Sequence, residues 1–150
     1  WHGRQAGQNF HPYAVLRRTG EGCESACGVA QVSHLNSSAP HIHNATTFDD
    51  LVDWGVQPDM VEGTSQSMGR LLHKGPDNIP ETGIWDCTPG RWRLLLPRDE
   101  FCHFVSGRAR YTHDNGEVIE VTGGTCVLFP KGWSGEAEIF ETIRNIYMLT

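Results

Sequence analysis

Apolar residues fall in three different arrangements along this chain. From Trp1 to about residue 45, Gly, Ser, His, Asn and Gln are mixed with no sustained apolar period. Such a composition buries too little surface to offset the entropy of ordering it. Residues 1–45 therefore read as an N-terminal arm, partly disordered or packed on a partner, ahead of a folded domain over 46–150. In TTFDDLVDW the apolar residues Phe48, Leu51, Val52 and Trp54 follow a threonine, Thr47, that can cap. That spacing predicts a short helical turn from Thr47 to Trp54, stopped by Gly55 and Pro58. Val61 to Pro80 is rich in Gly, Ser and Pro, with room for one edge strand around Ser67–His73.

Beyond Gly83 the text becomes short apolar runs cut by turn residues: GIWDCTPG, RWRLLLP, EFCHFVSG, RARYTHDNG, EVIEVTGG, TCVLFPKG and a last run from Glu136 to Leu149. Runs of this length, with Gly, Pro or Asn at each break, predict the strands of an all-β sandwich or barrel. Asn115-Gly116 is the strongest hairpin signal, because a type I′ turn needs positive φ at both central residues. It predicts an antiparallel pair between RARYT and EVIEV. Alternation then assigns faces. With Glu100 inward, Cys102 and Phe104 follow it, while Phe101, His103 and Val105 face out; Trp92, Leu94 and Leu96 share the inner face, with Arg91 and Arg93 outside.

At 150 residues the chain is long enough for one domain plus an arm, and its formal net charge of -6 argues against nucleic acid or an anionic membrane surface as partners. No apolar run approaches the roughly 18 residues of a membrane span, and polar and basic groups stand early in the chain where a secretion signal is apolar. The expectation is a soluble, cytoplasmic protein. Five cysteines, Cys23, Cys27, Cys87, Cys102 and Cys126, are an odd number in a chain too long to need a disulfide framework. They read as reduced thiols, with Cys102 and Cys126 acting as small buried hydrophobes.

Two spaced motifs carry a family resemblance. Glu100-FCHFVS-Gly107 and Gly124-TCVLF-Pro130-Lys-Gly132 stand in order, separated by one hairpin. They resemble the second half of the first cupin motif (Glu, six residues, Gly) and the start of the second (Gly, five residues, Pro-x-Gly). More narrowly, GIWDCTPGRWRLLLPRDEFCHFVSGRARYTHDNGE resembles the small cupins grouped with the cupin domain of ureidoglycine aminohydrolase and with the ethanolamine-utilisation Q protein. The resemblance implies a double-stranded β-helix, a jelly-roll barrel; because its edge strands need covering, a homodimer is expected in which edge strands or the arm pass to the partner. It also implies a metal held by a His-x-His pair, the Glu and a further His. Family spacing puts the pair at Leu94 and Leu96 and the last histidine at Gly135, so only Glu100 remains. A catalytic divalent metal takes about three protein ligands. No cofactor is expected; a divalent metal, if held, would use Glu100 with Cys102 or His103.

The candidate pocket is Glu100 with Trp85, Trp92, Leu94, Leu96, Cys102, Phe104, Phe129 and Trp133. A carboxylate in such company is costly to keep ionised, so Glu100 is expected to have a raised pKa or a hydrogen-bonding partner. Two readings stand for it: an acid, base or ligand anchor in a pocket, or a structural residue bonding a neighbouring strand. The aromatics either stack on a small ligand or fill the core. Cys102 as a nucleophile would need a nearby base and an electropositive surround, which the sequence does not supply. His41-Ile42-His43, with His34 nearby, lacks a Glu at the motif spacing, and Cys23-x-x-x-Cys27 lacks a second pair. The function expected is small-molecule binding in a barrel without the family histidines. The alternative is a metal- or Glu-dependent enzyme on a small nitrogenous metabolite.

Overall fold

In the computed structural model, which describes residues 39–150, the strands are β1 (Val52–Val56), β2 (Met60–Glu62), β3 (Gln66–Lys74), β4 (Glu81–Cys87), β5 (Gly90–Leu95), β6 (Glu100–His113), β7 (Val118–Thr122), β8 (Cys126–Phe129) and β9 (Ser134–Leu149). All join one curled antiparallel sheet. Its geometry follows from two long strands. β9 pairs with β6 along its whole length on one side; on the other it pairs with β5 through Ser134–Ile139 and with β4 through Ile143–Leu149. β6 likewise pairs with β8 near its start and β7 near its end. The two strands thus pass from one wall, β1-β3-β4-β9-β6-β8, to the other, β2-β5-β9-β6-β7, and the barrel forms between them. This is the all-β jelly roll expected.

The corner is made by a bulge. Glu100, Cys102 and Phe104 point inward, but beyond Gly107 the inward residues are Ala109 and Tyr111, so the phase has slipped by one. The register of β6 against β9 shifts between Phe104 and Ala109, and Gly107 has φ +88°. An extra residue in one strand bends it and re-aims the side chains beyond the bend. EFCHFVSG and RARYTH, expected as two strands with a break at the glycine, are therefore one strand bent there.

Other expectations are corrected. Residues 48–54 are not a helical turn: a turn over 43–47 leads into extended chain and β1. β3 offers an edge that β1 pairs with, and that pairing outweighs a weak local helical period. With β1 on one side and β4 on the other, β3 is no edge strand. The Asn115-Gly116 hairpin forms, but only Gly116 has positive φ; His113 N–H bonds Glu117 O, and Gly116 N–H bonds His113 O. That is a three-residue loop closed by a glycine bulge, not a type I′ turn. Cys126 is exposed, on the outward side of β8 opposite His103, whereas Cys87 and Cys102 are buried.

The core is one cluster that includes Trp85, Trp92, Leu94, Leu96, Cys102, Phe104, Tyr111, Phe129, Trp133 and Tyr147. The outer face of β4 is buried as well. Arg144 bonds Asp86 through Nε and Nη2 at 2.8 Å each and the carbonyls of Ala45 and Thr46 through Nη1, while Arg70 pairs with Asp50. These bonds tie the segment ahead of β1 across the sheet. Residues 1–38, with His34, Cys23 and Cys27 and most of the expected arm, lie outside the described residues. Among the described residues no helix is long and apolar enough to cross a membrane.

Candidate functional site

Glu100 opens β6 with its side chain inside the barrel and 2% exposed. The next inward residue, Cys102, donates its thiol to Glu100 Oε1 at 3.3 Å. Asn145, inward from β9, donates Nδ2 to the same sulfur at 3.1 Å. A buried chain therefore runs Asn145 to Cys102 to Glu100, from two adjacent strands. It gives Glu100 the hydrogen-bonding partner its setting calls for. One turn of the pleat further along β9, Tyr147 donates its hydroxyl to Glu81 Oε1 at 3.1 Å, and Lys74 approaches Glu81 Oε2 at 3.4 Å. Glu81 and Glu100 flank Leu149 from opposite strands, so both carboxylates belong to this end of the barrel.

The interior keeps its hydroxyls and thiols protonated. Burial pushes the Cys102 thiol well above its usual value, and the charge of Glu100 adds to it. Tyr111 is raised by burial first, then by Cys102 and Glu100. Tyr147 is raised by burial, then by Glu81 and Glu100, with Arg98 opposing. Each is a donor at neutral pH, and no thiolate nucleophile exists here. Two further interior atoms, Asn145 Oδ1 and Trp92 Nε1, are buried with no hydrogen-bond partner among the described residues. They lie on opposite walls, one an acceptor and one a donor.

Residues 74–147, just under half of the chain, match the family model of the EutQ-like cupin domain. A solved protein of unknown function from Pseudomonas syringae pv. tomato superposes with a TM-score of 0.62 at 20% identity, over 67% of this chain and 44% of that one. The fold is that of a cupin barrel. A putative ethanolamine utilization protein Q from Salmonella typhimurium shares the fold, with a TM-score of 0.52 at 20% identity over 63% of this chain and 76% of that one. So does ectoine synthase from P. lautus, with a TM-score of 0.50 at 15% identity over 61% and 67%. The chain spans less than half the length of the Pseudomonas protein. No curated protein sequence matches it. Identities this low fix the fold and not the ligand.

The eight residues expected around Glu100 all belong to the one packed core cluster. His103 faces the other way, in register with Cys126 and Ile146, so it cannot join Glu100 around a metal. The metal that the cupin pattern holds does not fit the residues present. Leu94 and Leu96 are buried in the core, and Gly135 lies in register with Leu94. A Cβ at 135 would collide with the carbonyl oxygen of Thr112 and stand 2.8 Å from Trp133 Cη2 and 2.9 Å from His113 Cα. The position has lost the room for a histidine as well as the histidine itself. Among the described residues no group of three or more His, Cys, Asp or Glu could hold a metal ion. Asn145, Tyr147 and Tyr111 were not foreseen; the period of two in the last run, phased on Ile143, would have placed the first two inward.

Proposed function

We propose that this cupin binds a small organic molecule inside the barrel, against Glu100, Cys102 and Asn145, without the metal of its family. The observation that carries the reading is the pair of buried, unpartnered atoms inside the barrel, Asn145 Oδ1, whose amide nitrogen bonds Cys102, and Trp92 Nε1 on the other wall. Buried polar atoms are seldom left so unless something polar completes them. The free acceptor at Asn145 suits a ligand bearing an N–H group, which agrees with the small nitrogenous metabolite suggested by the likeness to ureidoglycine aminohydrolase cupins. A catalytic role for Glu100 has less support, because its titratable neighbours Cys102, Tyr111 and Tyr147 are all held protonated.

The homodimer belongs to the same proposal. Leu128, Phe101 and Met148 stand in register on β8, β6 and β9 and are 67%, 46% and 43% exposed on the outer face. A two-fold axis would set this apolar row against itself and cover it.

The test of binding is calorimetric titration with amides, ureides, amino acids, amines and sugars. A saturable response to one nitrogenous class, lost in Asn145→Leu, is expected; silence from every class would sink the reading. Elemental analysis of untagged protein completes it: stoichiometric metal that disappears in Glu100→Gln would overturn the metal-free reading.

A further inference from the structure

A second group of buried polar atoms lies away from Glu100, where the β1–β2 connection closes the other end of the barrel. Gln57 is 2% exposed and Ser65 is fully buried, and the backbone N–H of Gln57 bonds Ser65 O at 2.9 Å. Gln57 Oε1, Gln57 Nε2 and Ser65 Oγ are all buried with no hydrogen-bond partner among the described residues. The thiol of Cys87 faces both side chains. Burial lifts it to about 12, while Gln57 and Ser65 at its flank pull it down. A carboxamide left with neither of its functions satisfied is expensive inside a protein.

The group lies next to a groove. Ser65 Oγ lies directly beneath Gly90, where any Cβ would strike it; Glu62 O and Met60 Cε, at 3.1 and 3.2 Å from such a Cβ, complete the surround. Above Gly90 opens a groove of about 470 Å³ lined by Glu62, Pro89, Arg91, Arg108, Glu138 and Phe140 among others. Arg91 Nε, on the rim, is likewise buried without a partner. Gly90 thus lines the groove and packs on Ser65 Oγ behind it.

We propose that Gln57, Ser65 and Cys87 form a second binding site, entered past Gly90, for a small neutral molecule that both donates and accepts hydrogen bonds, a primary carboxamide being the simplest. A carboxamide pairs with Gln57 through two antiparallel bonds, N–H to Oε1 and C=O from Nε2, and its second N–H reaches Ser65 Oγ. Neutrality follows from the surround: the thiol is uncharged, and the nearby Arg91 is already paired with Glu62 and Glu136. An ion would arrive without a counter-charge.

The test is a titration of the full chain, uniformly labelled with ¹⁵N, with acetamide. The side-chain NH2 of Gln57 and the backbone amides of Gly63 and Gly90 should move saturably while the NH2 of Asn145 stays, which separates this site from the one beside Glu100. Gln57→Met should abolish the response of both glycine amides, and Ser65→Ala should weaken it about fivefold, the worth of one neutral hydrogen bond. The site is overturned if nothing moves, or if Gln57→Met and Ser65→Ala both leave the glycine response intact. Cross-peaks from the Gln57 NH2 to long-lived water without any acetamide effect would overturn it in favour of a solvent site. Shifts that depend on protein concentration alone would overturn it in favour of a second copy over the groove.

Discussion

Gly135→Ala offers a sharp test of why the metal site of the cupin pattern cannot form in this chain. The residue sits on β9 between Leu94 of β5 and His113 of β6, and a Cβ there meets the Thr112 carbonyl, His113 Cα and the Trp133 ring. Two of these are backbone. The third is 6% exposed and wedged among Tyr111, Phe129 and His113, with ring centroids at 6.3, 5.1 and 5.3 Å. None yields cheaply. Forcing one methyl into such packing costs about 1–3 kcal/mol, while replacing glycine by alanine in the unfolded chain returns about 0.4–1 kcal/mol. The net is a loss of about 1–2 kcal/mol. For a domain of this size it corresponds to a fall in Tm of about 4–8 °C, read by circular dichroism with urea midpoints alongside. An unchanged or raised Tm would refute the close approach. In the triple variant with histidine at 94, 96 and 135 the same clash prevents assembly of the site, and micromolar binding of manganese or nickel by that variant would refute it independently.

Stability is expected to fall as pH rises above about 9. The Cys87 thiol, 9.0 when free, is pushed up to about 12 by burial, and Cys102 moves the same way. Between these values the unfolded chain has lost the proton and the folded chain keeps it, so stability declines with rising pH, by an amount on the order of a few kcal/mol. Urea midpoints that do not move between pH 8 and 11 would contradict the buried thiols. Arg144→Ala strips the two-pronged partner from Asp86, whose side chain is 11% exposed, and should cost about 2–4 kcal/mol in chemical denaturation; a loss under about 1 kcal/mol would mean that water replaces the guanidinium. Phe101→Glu places a charge in the exposed row on β6 and should convert a dimer to a monomer by sedimentation velocity. A wild-type monomer, or a variant that remains dimeric, removes that interface.

Much of the wall around Glu100 was legible because it depends only on local geometry. Side chains alternate along any strand, so once Glu100 points in, Cys102 and Phe104 must point in too, and the same holds for Trp92, Leu94 and Leu96. The hairpin was legible too, since a glycine that takes positive φ marks a turn whatever the rest of the chain does, although the turn type was not. The missing histidines were a matter of counting.

What the sequence could not state is which distant segments meet. Asn145 reaches Cys102 across 43 residues, and Tyr147 reaches Glu81 across 66, through pairing that no local period encodes. A one-residue bulge at Gly107 reverses the inward phase, so alternation carried past it from Glu100 would put Arg108 and Arg110 inside and Ala109 and Tyr111 outside, the opposite of what forms. Cys126 looks like core by its neighbours yet lies on the outward side of a strand with β6 as its partner. Residues 52–54 read as the end of a helical turn by spacing and became part of β1 because β3 offered an unpaired edge. Face and turn are decided within a few residues by covalent geometry, while phase across a bulge, choice of partner and burial of an edge are decided by free energy summed over the whole barrel.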